Sequence, residues 1–189
     1  METTDAPYFR RQDYAGFWLR LLVDSIDVFV VTVVWFAVLF ALWDAFPSAE
    51  TALNGALAAF AIIAFFYFVV LKRSRIGTVG YRVGGVRLVG LNGAPPSLFS
   101  STLRLLFVFC PLNVVDFFWL SGDPHRQALR DKFAQTYVVK RKAEPIGTAR
   151  VVYPNYDIWG YNFTFREIEV KQRVIAPDID RRGLAPMEH

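Results

Sequence analysis

Arg20, Asp24 and Asp27 stand inside a helix-length apolar run over residues 17–43. Spacings of four and seven residues return to nearly the same direction on an α-helix, so the three side chains share one face. A guanidinium and two carboxylates on one stripe suit two chemistries. One is a buried ion-pair cluster that locks elements together, because charges removed from water must satisfy one another. The other is exchange of a proton or binding of a monovalent cation by Asp24 and Asp27 along a water-filled path. At about 1.5 Å rise per residue Asp27 lies roughly 10 Å deeper than Arg20. Arg20 can snorkel to an interface; the short Asp27 side chain cannot, so it requires a partner within the fold.

The elements that position this stripe read as membrane spans. From Val28 to Trp43 the first run contains a single polar side chain, Thr32, and its length exceeds that of a core helix in a small soluble domain. A charge in hydrocarbon costs about 2.5–3.5 kcal/mol even on the lenient insertion scale, so the stripe faces protein or water. The link over residues 44–50 is short and acidic, and residues 51–71 carry no charge, which predicts an antiparallel second span. On that span Ala52, Gly55, Ala56 and Ala59 form a smooth packing face for span one or for another copy of the chain.

Six basic residues and no acidic one lie between Lys72 and Arg104. The positive-inside bias puts this loop, and with it the N-terminus, in the cytoplasm. The apolar segment 98–120 is interrupted by Arg104, Pro111, Asn113 and Asp116, and basic residues follow it. A Pro-broken re-entrant or interfacial helical hairpin fits this pattern, with a true third span as the alternative. Asn113 and Asp116 then line a polar cavity at the break, or cap its helices.

Residues 86–91 and 136–139 read as short strands able to pair, the first ending at the turn-forming pair Asn92-Gly93. Residues 1–14 are polar and read as mobile, with Tyr8, Phe9, Phe17 and Trp18 at headgroup level. In the tail, residues 161–170 read as a strand that presents Tyr161, Phe163 and Phe165 on one face, and the Pro-punctuated residues from 176 have the composition of a disordered end.

Composition narrows the function. With 54% apolar residues the chain is a small membrane protein with a polar tail, and its net charge of +4 sits beside membrane segments, where topology explains it better than nucleic acid does. The lone Cys110 and the separated His125 and His189 support neither a disulfide nor a metal site. The glycines at 77, 80, 84 and 85 lack the lysine of a phosphate loop, and Ser25, Ser97, Ser100 and Ser101 have no histidine near them in sequence. No cofactor and no enzymatic chemistry is expected.

Three blocks resemble the RDD family of small bacterial membrane proteins, named for one arginine and two aspartates. They are Gly16-Phe-Trp-Leu-Arg20 followed by Ile26-Asp27; Thr78-Val-Gly80-Tyr-Arg82-Val-Gly-Gly85-Val-Arg87-Leu-Val89 with Asn92-Gly-Ala-Pro-Pro96; and Arg126-Gln-Ala-Leu-Arg-Asp131-Lys-Phe-Ala134-Gln-Thr136. The likeness covers roughly residues 14–140. Gln135 stands where glycine is usual, Gly84 where an apolar residue is usual and Tyr81 where a basic one is usual, and Asp24 is an extra acid. The resemblance adds Asp131 as the last family aspartate, competing with Asp27 for Arg20 in one buried ion-pair cluster that locks span one to the cytoplasmic hairpin and sheet, and implies the bacterial cytoplasmic membrane. A few members are associated with sodium/proton antiport, and others resemble accessory modules.

The expected fold is therefore an all-α membrane protein with two spans, a broken hairpin and a small cytoplasmic β element. A membrane domain over residues 1–140 precedes a polar, aromatic tail over 141–189. The expected function is a nonenzymatic accessory or assembly module that packs with itself or with a larger membrane complex. A cation/proton antiporter using Asp24 and Asp27 is the alternative.

Overall fold

The computed structural model describes residues 5–109, 119–120, 123, 125–158 and 160–169. Helix α1 (Phe17–Ala45) and helix α2 (Ala49–Phe65), which continues through one π-helical turn (Phe66–Leu71), are each long and apolar enough to cross a membrane. Their outward side chains, among them Phe29, Phe40, Leu57 and Ile62, are exposed within the chain. Core helices of a soluble protein would bury such residues; their exposure fits a membrane protein. Ser48 starts α2 by accepting the Thr51 N–H at 3.1 Å.

The Ala/Gly face of α2 packs on α1. Ala52 and Ala56 are fully buried, Gly55 lies against Leu42, and the Trp35 indole donates to the Ala56 carbonyl at 3.0 Å. An indole reaches a helix carbonyl only where small side chains leave the backbone open.

Beyond the spans, α3 (Val79–Val83) leads into β2 (Val86–Gly90). Helix α4 (Leu98–Phe109) and helix α5 (Leu129–Ala134) precede β3 (Thr136–Lys140), which pairs antiparallel with β2 from Val86↔Lys140 to Gly90↔Thr136. This strand pair is covered on both sides. Val86, Leu88 and Val138 pack with Ala15, Val23 and Tyr81 against the helices, while Val89, Tyr137 and Val139 pack with Phe9, Tyr14, Val151 and Ile168. Alternation along each strand places successive side chains in the two cores.

The second core is closed by a sheet of β1 (Asp5–Tyr8), β4 (Gly147–Val152) and β7 (Glu167–Ile168), ordered β1-β4-β7. A separate hairpin joins β5 (Asn155–Ile158) to β6 (Tyr161–Thr164).

Several expectations change. With three small sheets the all-α description is not confirmed. Residues 5–14 are ordered: β1 pairs with β4, Tyr14 is buried in the core, and Phe9, expected at headgroup level, is buried there too, whereas Trp18 is 77% exposed. The β1–β4 pairing crosses the expected boundary at residue 140, tying the N-terminus to the tail. The strand read at 161–170 is broken into β6 and β7, with Phe165 buried and Tyr161 exposed. Spans α1 and α2 each run two residues beyond an expected boundary, to 45 and from 49. The expected break at Pro111, the polar cavity at Asn113 and Asp116, and the disordered end fall on residues outside those described.

Candidate functional site

Two buried acid centres lie where α1 meets the elements beyond the spans. In the first, Asp131 is fully buried on α5 and forms ion pairs with both Arg20 of α1 and Arg104 of α4. Arg104 also donates to the Thr136 hydroxyl at 2.6 Å. Arg20 uses its other donors on backbone carbonyls, those of Ala15 at 3.0 Å and Arg126 at 2.7 Å. Asp131 further accepts the Ala128 N–H at 3.2 Å, capping its own helix. Burial alone would raise the Asp131 carboxyl; the Arg104 and Arg20 guanidiniums outweigh it and, with Arg130, hold it down at about 2. One carboxylate thereby joins α1, α4 and α5.

The second centre is Asp27, also fully buried. It accepts from the Tyr67 hydroxyl at 3.0 Å, the Thr78 hydroxyl at 2.7 Å and the Gly80 N–H at 2.7 Å. Lys72 approaches it at 3.6 Å and pairs more closely with Asp24, at 2.9 Å; Arg130 also pairs with Asp24. Gly80 is required by this geometry. A Cβ there would lie 2.2 Å from the Val23 carbonyl oxygen and 2.7 Å from Asp27 Oδ1. Gly84 has a similar constraint: its Cβ would stand 2.3 Å from the Val23 side chain, so this chain has no room for a larger residue there. Tyr81 places its ring 4.7 Å from the Lys72 ammonium, a cation–π contact that would be lost with a basic residue at 81.

The expected single cluster of Arg20, Asp27 and Asp131 is thus divided. Arg20 meets Asp131, and Asp27 is held by hydroxyls, an amide and a lysine. The two-turn separation of Arg20 and Asp27 along α1 explains the division, because each depth meets a different neighbouring element. Asp24 sits between the centres, bound to Lys72 and Arg130. The small-residue face at Ala52, Gly55, Ala56 and Ala59 belongs to the α1–α2 contact and touches neither centre.

Sequence reasoning missed Arg104, Lys72, Tyr67 and Arg130. Arg104 carried a signal as the lone cation of an amphipathic apolar helix; Tyr67 carried none, since one tyrosine in an aromatic run cannot be singled out. A third cluster was also missed. Lys132, fully buried, pairs with Asp123 and with Glu167 of β7, and the Tyr156 hydroxyl donates to Glu167 at 3.1 Å. Burial would lower the Lys132 ammonium, but Asp123 and then Glu167 raise it, so it stays charged. It fixes the tail to α5. No group of three or more His, Cys, Asp or Glu side chains placed to hold a metal occurs among the described residues.

No match was found among curated proteins or solved structures. The model of the RDD family matches residues 14–135, which contain Arg20, Asp27 and Asp131 and make up more than half of the chain. The chain belongs to the RDD family.

Proposed function

We propose that this protein is a nonenzymatic accessory or assembly module of a bacterial cytoplasmic membrane, with its N-terminus on the cytoplasmic side, acting in a homo-oligomer or a larger membrane complex. The saturation of its acids carries this reading: the buried Asp131 is taken by two arginines, the buried Asp27 by three hydrogen-bond donors, and the partly exposed Asp24 by Lys72 and Arg130. The cavity lined by Arg20, Asp24 and Arg130 measures about 10 Å³. That volume is at the threshold for one water and far below a hydrated cation. Charges arranged in this way lock elements together; a transport path needs carboxylates that water can reach.

The small face of α2 is occupied by α1, so partner contacts fall to the outward apolar faces of the spans and to the aromatic β5–β6 hairpin, where Tyr161 is 72% exposed. The basic stretch between Lys72 and Arg104 supports the orientation. Purification in gentle detergent is expected to yield a complex with another membrane protein or with further copies of the chain. A lone monomer would remove the accessory reading.

A second reading, cation/proton antiport through Asp24 and Asp27, is favoured by one observation. Lys72 lies between both carboxylates directly after the π-helical turn of span two, and π turns recur at functional sites. It predicts that Asp27→Asn is expressed normally yet abolishes cation-driven proton movement in reconstituted vesicles. Absence of such movement by the wild-type protein would end it.

A further inference from the structure

The end of span two opens onto a cavity of about 410 Å³ whose wall carries Lys72, Arg73, Arg75, Arg87 and Arg141. These cations come from three separate elements: the end of the second helix with the bend that follows it, strand β2 and the turn after β3. No carboxylate occurs among the residues lining the cavity. Lys72 is neutralised by Asp24 and Asp27. Among the described residues the four arginines are not: Arg87 donates to the Ala143 carbonyl at 2.9 Å and Arg141 to the Arg75 carbonyl at 2.9 Å, which orients the guanidiniums without cancelling their charge. Arg73 and Arg75 have no carboxylate partner among the described residues. Converging, unneutralised arginines suit a phosphate group, which accepts several N–H donors at once.

We propose that this cavity binds the phosphate of an anionic phospholipid headgroup. Two features favour lipid over a soluble phosphate. The cavity begins at the residue after the span, which places it at headgroup depth. Its lip carries Ile76, an apolar side chain 57% exposed, on which an acyl or glycerol portion can rest. Basic pockets beside membrane helices hold anionic lipid headgroups by this combination of charge and position.

The test titrates the full-length protein, delipidated in mild detergent, with phosphatidylglycerol or phosphatidylcholine and counts bound lipid by native mass spectrometry. Phosphatidylglycerol is expected to bind selectively, and the double variant Arg73→Gln/Arg75→Gln to weaken it roughly 30-fold, from about fivefold per cation. The charge-matched control Arg10→Gln/Arg150→Gln, at two exposed positions elsewhere, should bind as wild type does. Should the double variant fail to fold, Arg87→Gln alone should weaken binding about fivefold. Equal binding of phosphatidylcholine, equal weakening in the control, or an unchanged Arg87→Gln would each overturn the proposal. Displacement of phosphatidylglycerol by millimolar inorganic phosphate or glycerol phosphate would overturn the lipid assignment in favour of a soluble anion.

Discussion

Asp131 and Asp27 are both completely buried acids on which α1 depends, yet they are neutralised by different physics. Asp131 is surrounded by full charges, Arg20 and Arg104, brought from two other helices. Asp27 is surrounded mainly by dipoles, two hydroxyls and one backbone N–H, with Lys72 farther off. An ionic centre is intolerant of losing any member, because each removal strands a buried charge. A dipolar centre is more forgiving, since hydroxyls can rotate to accept where they formerly donated.

The comparison predicts a ranked set of effects. Asp131→Asn leaves two buried guanidiniums without their counter-ion and should destabilise the folded protein by about 3–5 kcal/mol. Thermal unfolding in detergent measures this, and a loss as small as that of Asp27→Asn would erase the distinction. Next comes pH. The Asp131 carboxyl is held at about 2, against an ordinary 3.8, so its pairing contributes stability above the ordinary value that disappears as pH falls through the lower one. The contribution corresponds to about 2 kcal/mol. Wild type should therefore lose stability between about pH 4 and pH 2, and Asp131→Asn should lose correspondingly less across that window.

Asp27→Asn should be milder, at about 1–2 kcal/mol, because the amide oxygen keeps the Gly80 and Tyr67 hydrogen bonds while Thr78 reverses its role. A larger loss, approaching that of Asp131→Asn, would mean that Lys72 contributes more than its distance suggests. The smallest effect belongs to the helix that carries Asp131. Gln135 closes α5 in the left-handed conformation, with φ +54° and ψ +50°. Gln135→Gly relieves that strain and should raise stability by up to about 1 kcal/mol. A decrease would show that the Gln135 side chain makes a compensating contribution.

Much of the frame was legible because it depends on composition and period. The two spans, the β2–β3 pairing, the turn at Asn92-Gly93 and the small-residue face of α2 all follow from local patterns, and Gly93 adopts φ +80° as such a turn requires. The departures were legible only in retrospect. Gln135 in place of glycine marks a left-handed cap, and Gly84 in place of an apolar residue marks the close approach of Val23. The ordered N-terminal strand was hidden because its partner, β4, lies some 140 residues away, and a four-residue strand has too little pattern to announce a pairing at that distance.

By itself the sequence determined that charged side chains enter an apolar span on one face and must be satisfied there, because hydrocarbon rejects an isolated charge whatever the fold. It could not decide which cation meets which acid. That choice depends on tertiary approach: α5 and α4 bring Asp131 and Arg104 to Arg20, while α3 and the π turn bring Gly80, Thr78 and Tyr67 to Asp27. Hydrogen bonds and ion pairs reach only a few ångströms, so partners distant in sequence are selected by packing alone.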